Sequence, residues 1–153
     1  MKRIASFSVN HNTLDKGMYI SRVDGDAVTY DIRMKKPNGG DYLSNGAMHT
    51  FEHLFATYVR NTNYADSIIY VGPMGCRTGF YFIVRDNVTS AEALRLVKDC
   101  FEFISNFKGV IPGTTKRECG NYLEHDLPGA IGVAADMLKV LENRTENDMK
   151  YPE

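Results

Sequence analysis

At 153 residues, the chain fits one domain, since domains commonly run about 100 to 200 residues, and it is long enough to bury a proper core. With 43% hydrophobic and 24% charged residues and a formal charge of -1, it has an ordinary globular composition and no basic footprint for nucleic acid. No apolar run approaches the roughly 20 residues that span a bilayer. Three cysteines cannot all pair within one chain, and the amino terminus lacks the charged and apolar regions of a secretory signal, so a reducing cytoplasm with free thiols is the economical expectation.

From Gly17 to Val23, Met18, Ile20 and Arg22 alternate with other residue types; Asp24-Gly25-Asp26 supplies turn chemistry before Ala27 to Met34. That reads as a β-hairpin. Lys35 to Gly40 is loop material, after which Ser44 or Asn45 caps a helix from about Gly46 to Arg60 with Phe51, Leu54, Phe55, Tyr58 and Val59 as its apolar stripe. Ser67 to Val71 and Gly79 to Arg85 form a second hairpin around Gly72-Pro73-Met74-Gly75, with Cys76 in the connection. Thr89-Ser90-Ala91-Glu92 has capping-box spacing and opens a helix to about Phe107, where Cys100 is core. Thr115-Lys116-Arg117-Glu118 repeats that spacing, so Cys119 is expected in the first turn of a short helix whose positive end favours a thiolate. Beyond Leu127-Pro128-Gly129 a last helix runs to about Asn143, and the polar tail from Arg144 to Glu153 is expected to fray. Strands followed by helices in unequal groups predict a single α+β domain, residues 1–153, with a largely antiparallel sheet packed against helices.

His49-Thr50-Phe51-Glu52-His53 falls inside the first predicted helix, where positions four apart share a face and the position three on lies beside them. Two imidazoles can grip one ion, and the intervening carboxylate stands close to it without having to be a ligand, which suits proton transfer. The order H-x-x-E-H is the inverted zinc-peptidase motif. The bland alternative is a pair of half-buried histidines bonded to Glu52 and indifferent to metals. Two histidines leave a tetrahedral ion short of ligands, and the downstream candidates are Cys76, Cys119, Glu124 and His125. Spacing does not choose among them. Cys119 gains from the expected helix start, whereas Cys76 lies in a glycine-rich turn that leaves a thiol exposed for catalysis.

The chain resembles the S-ribosylhomocysteine lyase (LuxS) family from about Ser6 to Leu127. The carriers are Ser6-Phe7 with His11, Asp31-Ile32-Arg33, the stretch His49 to Ala56, the block Pro73-Met74-Gly75-Cys76-Arg77-Thr78-Gly79-Phe80-Tyr81, Cys119-Gly120 and His125-Asp126-Leu127. The resemblance implies that His49, His53 and Cys119 hold one divalent ion per subunit, Fe(II) or Zn(II), and that Glu52 and Cys76 are the acid/base groups. It implies substrate-binding roles for Ser6, His11 and Arg33, and a homodimer with active sites at the interface. The sequence departs from the family form in reading Tyr70-Val71-Gly72 before Pro73, where an Asp-Ile-Ser run is common.

The implied reaction is metal-assisted carbonyl migration along an open-chain sugar through enediolates, then β-elimination of the thioether. It yields homocysteine and 4,5-dihydroxypentane-2,3-dione, the autoinducer-2 precursor, serving homocysteine recycling or signalling. A cysteine acts as base at neutral pH only if its thiolate is favoured, a task open to the ion and to Arg77. Two competitors use the same motif: a small metallopeptidase with Glu124 as third ligand, and a closed metal-storage module needing neither Glu52 nor Cys76.

Overall fold

The period-two alternation in the first half of the chain is realised as strands. In the computed structural model, which describes residues 1–153, Gly17–Asp24 (β1) pairs antiparallel with Ala27–Arg33 (β2) through a tight turn. Gly25 there adopts φ 61, the left-handed value that primed hairpin turns require. Ile68–Pro73 (β3) and Gly79–Arg85 (β4) make the second hairpin, and β4 also pairs antiparallel with β2, giving the order β1-β2-β4-β3. At Gly79 the backbones of β2 and β4 approach so closely that a Cβ would stand 2.2 Å from the Ile32 carbonyl oxygen. Only glycine fits there.

One face of the sheet carries Tyr30, Ile32, Phe80, Phe82 and Val84 into the core, all at most 1% exposed. The helices cover that face. Asn45–Val59 (α1) starts at Ser44, whose hydroxyl accepts the Ala47 N–H at 3.3 Å. Its buried stripe, including Phe51, Leu54, Phe55 and Val59, packs rings against Phe80, Phe82 and Phe101 at centroid distances of 5.1 to 6.2 Å. Truncating one such ring to alanine costs about 3–5 kcal/mol, which fixes how α1 is rotated and so where its opposite face, with His49, Glu52 and His53, points. Ser90–Ser105 (α2) begins at the expected Thr89/Glu92 capping box, and Cys100 is fully buried on it, as expected of a core residue.

Three expectations are corrected. The last helix, Leu127–Leu141 (α3), opens two residues before Gly129: Asp126 caps the Gly129 N–H at 2.9 Å, and Pro128 is tolerated because a first-turn residue needs no N–H. No short helix carries Cys119. Glu118 does reach back to the Thr115 N–H and hydroxyl, and the Cys119 N–H donates to the Thr115 carbonyl, but the chain then passes through turns from Gly120 to Leu123. With no apolar stripe to bury, one turn does not propagate.

The tail, thirdly, is held at Met149 and Tyr151 instead of fraying from Arg144 on. Met149 is 2% exposed, its carbonyl accepts the Ile20 N–H at 2.8 Å, and Tyr151 stacks on Tyr19 with ring centroids 5.1 Å apart. The apolar side of Met149 and two aromatic rings outweigh the polar composition that suggested fraying.

Candidate metal centre and active site

The exposed side of α1 meets the turns that follow α2. His49 Nδ1 donates to the Glu124 carbonyl and His53 Nδ1 to the Pro112 carbonyl, each at 2.8 Å. With those protons committed, both Nε2 lone pairs are free for an ion, the usual arrangement behind a histidine ligand. Cys119 Sγ lies 3.4 Å from His49 Nε2 and 3.9 Å from His53 Nε2. A tetrahedral ion with sulfur at 2.3 Å and nitrogen near 2.05 Å needs about 3.5 Å between them, so the three donors fit one divalent cation. The helix-end charge expected at Cys119 is replaced by the Asn121 N–H, which donates to its sulfur at 3.4 Å.

His125 completes the group: the four donor atoms all lie within 4.8 Å of one another, and its ring stacks on that of His49 at 4.0 Å. Its Nδ1 is 2.9 Å from the Thr50 hydroxyl, which also accepts the Asp126 N–H, while its Nε2 is buried without a partner. Burial, then the neighbouring His49 and His53, hold its pKa below the ordinary imidazole value. Of the four downstream candidates, Cys119 and His125 therefore join the cluster. Cys76 and the Glu124 carboxylate do not. Glu52 and His49 line one open depression together with Pro73, Asn121 and Glu124.

On the sheet face away from the helices, a second concavity of about 340 Å³ is lined by Ser6, His11, Arg33 and Cys76, together with Asp31 and Tyr151. Pro73 borders both depressions. Cys76 is exposed in the β3–β4 connection, its sulfur 3.0 Å from Thr78 Oγ1. The next residue, Arg77, takes φ 60, uncommon for a residue with a side chain, and so turns that loop sharply. Its guanidinium bonds the Leu43 carbonyl at 3.2 Å and lies over the Tyr42 ring, so the cation offered to Cys76 is another one. That cation is Arg33, whose Nη1 reaches Thr78 Oγ1 at 2.7 Å and stands 4.0 Å from Cys76 Sγ. Arg33 is buried in an ion pair with Asp31 at 2.6 Å. Burial opposes its charge, but the Asp31 carboxylate outweighs burial and holds the guanidinium above its usual pKa. His11 is half-buried, with Nδ1 2.9 Å from the Val9 carbonyl oxygen.

The sequence model of S-Ribosylhomocysteinase (LuxS) matches residues 4–148. The chain belongs to this family. Among proteins named S-ribosylhomocysteine lyase, it is 46% identical to that of Clostridium acetobutylicum over 158 aligned residues, covering 100% of both chains. It is also 46% identical to that of Porphyromonas gingivalis over 159 residues, again covering 100% of both. The relative from Borreliella afzelii is 44% identical over 157 residues, covering 99% of this chain and 100% of its own. No helix is long and apolar enough to cross a membrane.

Within this LuxS chain, three side chains around the site escaped the sequence reading as site members: Asp31, Thr78 and Tyr151. Asp31 had a signal, because residues two apart on a strand share a face and Asp31 stands so to Arg33. Thr78 had a weaker one as the second residue after Cys76. Tyr151 had none, since nothing in a polar terminal decapeptide says which strand it returns to.

Proposed function

We propose that this chain is an S-ribosylhomocysteine lyase, with His49, His53 and Cys119 holding one divalent ion, Fe(II) or Zn(II). The observation that carries the reading is the pinned pair of imidazoles facing Cys119 across tetrahedral distances, in a chain matched end to end by lyases of the family. A bound cation supplies Lewis acidity that steadies negative charge developing on a sugar oxygen.

The protein's own side chains move the protons. Glu52 follows His49 by three residues on α1, so it stands beside it and lines the same depression, and its carboxylate takes a proton from one sugar carbon and returns it at another. Cys76, exposed at the end of the other concavity, is the second proton carrier. Ser6, His11 and Arg33 line that concavity and bind the substrate's hydroxyls and carboxylate. Successive proton transfers walk the carbonyl along the sugar until it lies two carbons from the sulfur-bearing carbon, which puts the thioether on its β-carbon. Elimination then expels homocysteine and leaves an enol that tautomerises to 4,5-dihydroxypentane-2,3-dione; homocysteine recycling or supply of the autoinducer-2 precursor, in the cytoplasm, is the role this reading carries.

A homodimer with its active sites at the interface is part of this reading. Ile4 and Phe7, 54% and 66% exposed, flank Ser6, and Leu123, 80% exposed, sits between Asn121 and Glu124 of the metal-side depression. Apolar side chains exposed beside polar catalytic groups are what a second subunit would cover. The test is to incubate the purified, metal-loaded protein with S-ribosylhomocysteine and quantify both products. One equivalent each of homocysteine and of the dione is expected; intact substrate after prolonged incubation would sink the proposal.

A further inference from the structure

Three buried side-chain polar atoms in the protein lack a hydrogen-bond partner, and two of them, Asp31 Oδ1 and Arg33 Nε, belong to the same ion pair. An arginine and a carboxylate free to choose often pair as a fork, two parallel N–H···O bonds at once. Here a single bond is made, from Arg33 Nη2 to Asp31 Oδ2 at 2.6 Å, and the two atoms able to complete a fork are both left over. The other arm of the guanidinium donates to Thr78 Oγ1 at 2.7 Å, beside Cys76.

The group that holds the carboxylate in this orientation comes from the tail. The Tyr151 hydroxyl donates to the same Asp31 Oδ2 at 2.7 Å. Its ring is clamped by stacking on Tyr19, and the preceding chain is anchored by Met149, so the hydroxyl is delivered by a fixed scaffold. Turning the carboxylate toward Arg33 Nε would carry Oδ2 away from that hydroxyl. We propose that Tyr151 is a positioning residue: its hydroxyl keeps the Asp31–Arg33 pair singly bonded, so that Arg33 leaves one arm on Thr78 and its charge beside Cys76. Without it the carboxylate rotates, the fork closes, and Arg33 is drawn along β2 away from the cavity. The catalytic consequence rests on the lyase reading above; the geometry of the pair does not.

The test is Tyr151→Phe, which removes the hydroxyl and keeps the ring that stacks on Tyr19. Two readouts are taken. With S-ribosylhomocysteine, the expected result is a kcat/KM lowered by about fivefold or more, since Arg33 both lines the substrate concavity and stands beside the Cys76 thiol. Independently of any substrate, Cys76 is alkylated by anionic iodoacetate and by neutral iodoacetamide, with each site read by peptide mass spectrometry. The rate ratio cancels the reactivity of the thiol and reports the positive charge beside it, and it is expected to fall by about threefold in the variant. Fully buried Cys100 is the internal control and stays unmodified. An unchanged alkylation ratio overturns the proposal, and so does a variant in which Cys100 reacts, since the residue would then be merely structural. If the wild-type protein fails to cleave the substrate, the lyase reading falls and the alkylation ratio alone decides the role of Tyr151.

Discussion

Replacing Arg33 by alanine strands a carboxylate. The Asp31 and Arg33 side chains are 1% and 4% exposed and 2.6 Å apart, so neither can turn to water when its partner is removed. Removing one member of a buried pair costs about 3–5 kcal/mol, because the remaining charge stays desolvated. Tyr151 still donates to Asp31, and a hydrogen bond to a charged group is worth about 1.5–3 kcal/mol, so the lower end, about 3 kcal/mol, is expected. For a chain of this size that corresponds to a melting temperature lower by about 6–12 °C. Urea unfolding followed by circular dichroism at neutral pH measures it, with an unchanged m-value showing that the unfolded state is the same. Replacing both partners, Asp31→Asn with Arg33→Met, removes the stranded charge and should recover at least about half of the loss. A single-variant loss below about 1 kcal/mol, or a double variant no more stable than the single, would refute the buried-charge argument. Arg33→Ala protein that remains folded should also show a raised KM.

Cys76→Ala should retain its full complement of metal, because Cys76 lies outside the donor cluster, while turnover falls by about 10²–10⁴ as expected for loss of a proton-transfer group; full activity would remove Cys76 as an obligatory base. Cys119→Ser should drop bound metal below one ion per chain and Glu124→Gln should not, since Glu124 meets His49 through its backbone carbonyl; the reverse result in elemental analysis would favour a peptidase-like carboxylate ligand. Burial first, and then Asp31, raise the Tyr151 phenol above its ordinary pKa. The native state therefore holds that proton to higher pH than the unfolded chain, and stability falls as pH rises past about 10. Tyr151→Phe should lose stability less steeply than wild type over that alkaline range in pH-dependent urea titrations, and parallel slopes would contradict the assignment.

The elements legible in the sequence were those whose signal is local. Asp24-Gly25 gives a turn that a side chain would strain, Ser44 and the Thr89/Glu92 pair satisfy free N–H groups at helix starts, and α1 shows its buried stripe at helical spacing. The two histidines and Glu52 were legible for the same reason, because spacing along one helix fixes their common face. The family likeness then pointed to Cys119, whose sulfur lies 3.4 and 3.9 Å from the two Nε2 atoms.

What was hidden depends on contacts between distant segments. The order β1-β2-β4-β3 places β4 beside β2, which is what brings Thr78 to Arg33, and no local pattern states it. Thr115 and Glu118 mimic a helix start, but the following residues offer no apolar face, so the local signal overstated the structure. Pro128 misled in the opposite direction, since it reads as a breaker yet sits where a helix accepts it. The tail was misjudged because composition reports solvent affinity averaged over ten residues, whereas Met149 and Tyr151 alone make the contacts. Arg77 was the nearest cation to Cys76 along the chain, and in space Arg33 has that place.

The proposed lyase needs a cation held by two nitrogens and one sulfur. X-ray absorption on protein reconstituted anaerobically with iron(II) or zinc(II), at one ion per chain, tests this directly. Two nitrogen scatterers at about 2.0–2.1 Å, one sulfur at about 2.3 Å and one further light atom are expected, with the sulfur lost in Cys119→Ser. A stoichiometric ion without a sulfur neighbour, or no stoichiometric ion at all, would contradict it.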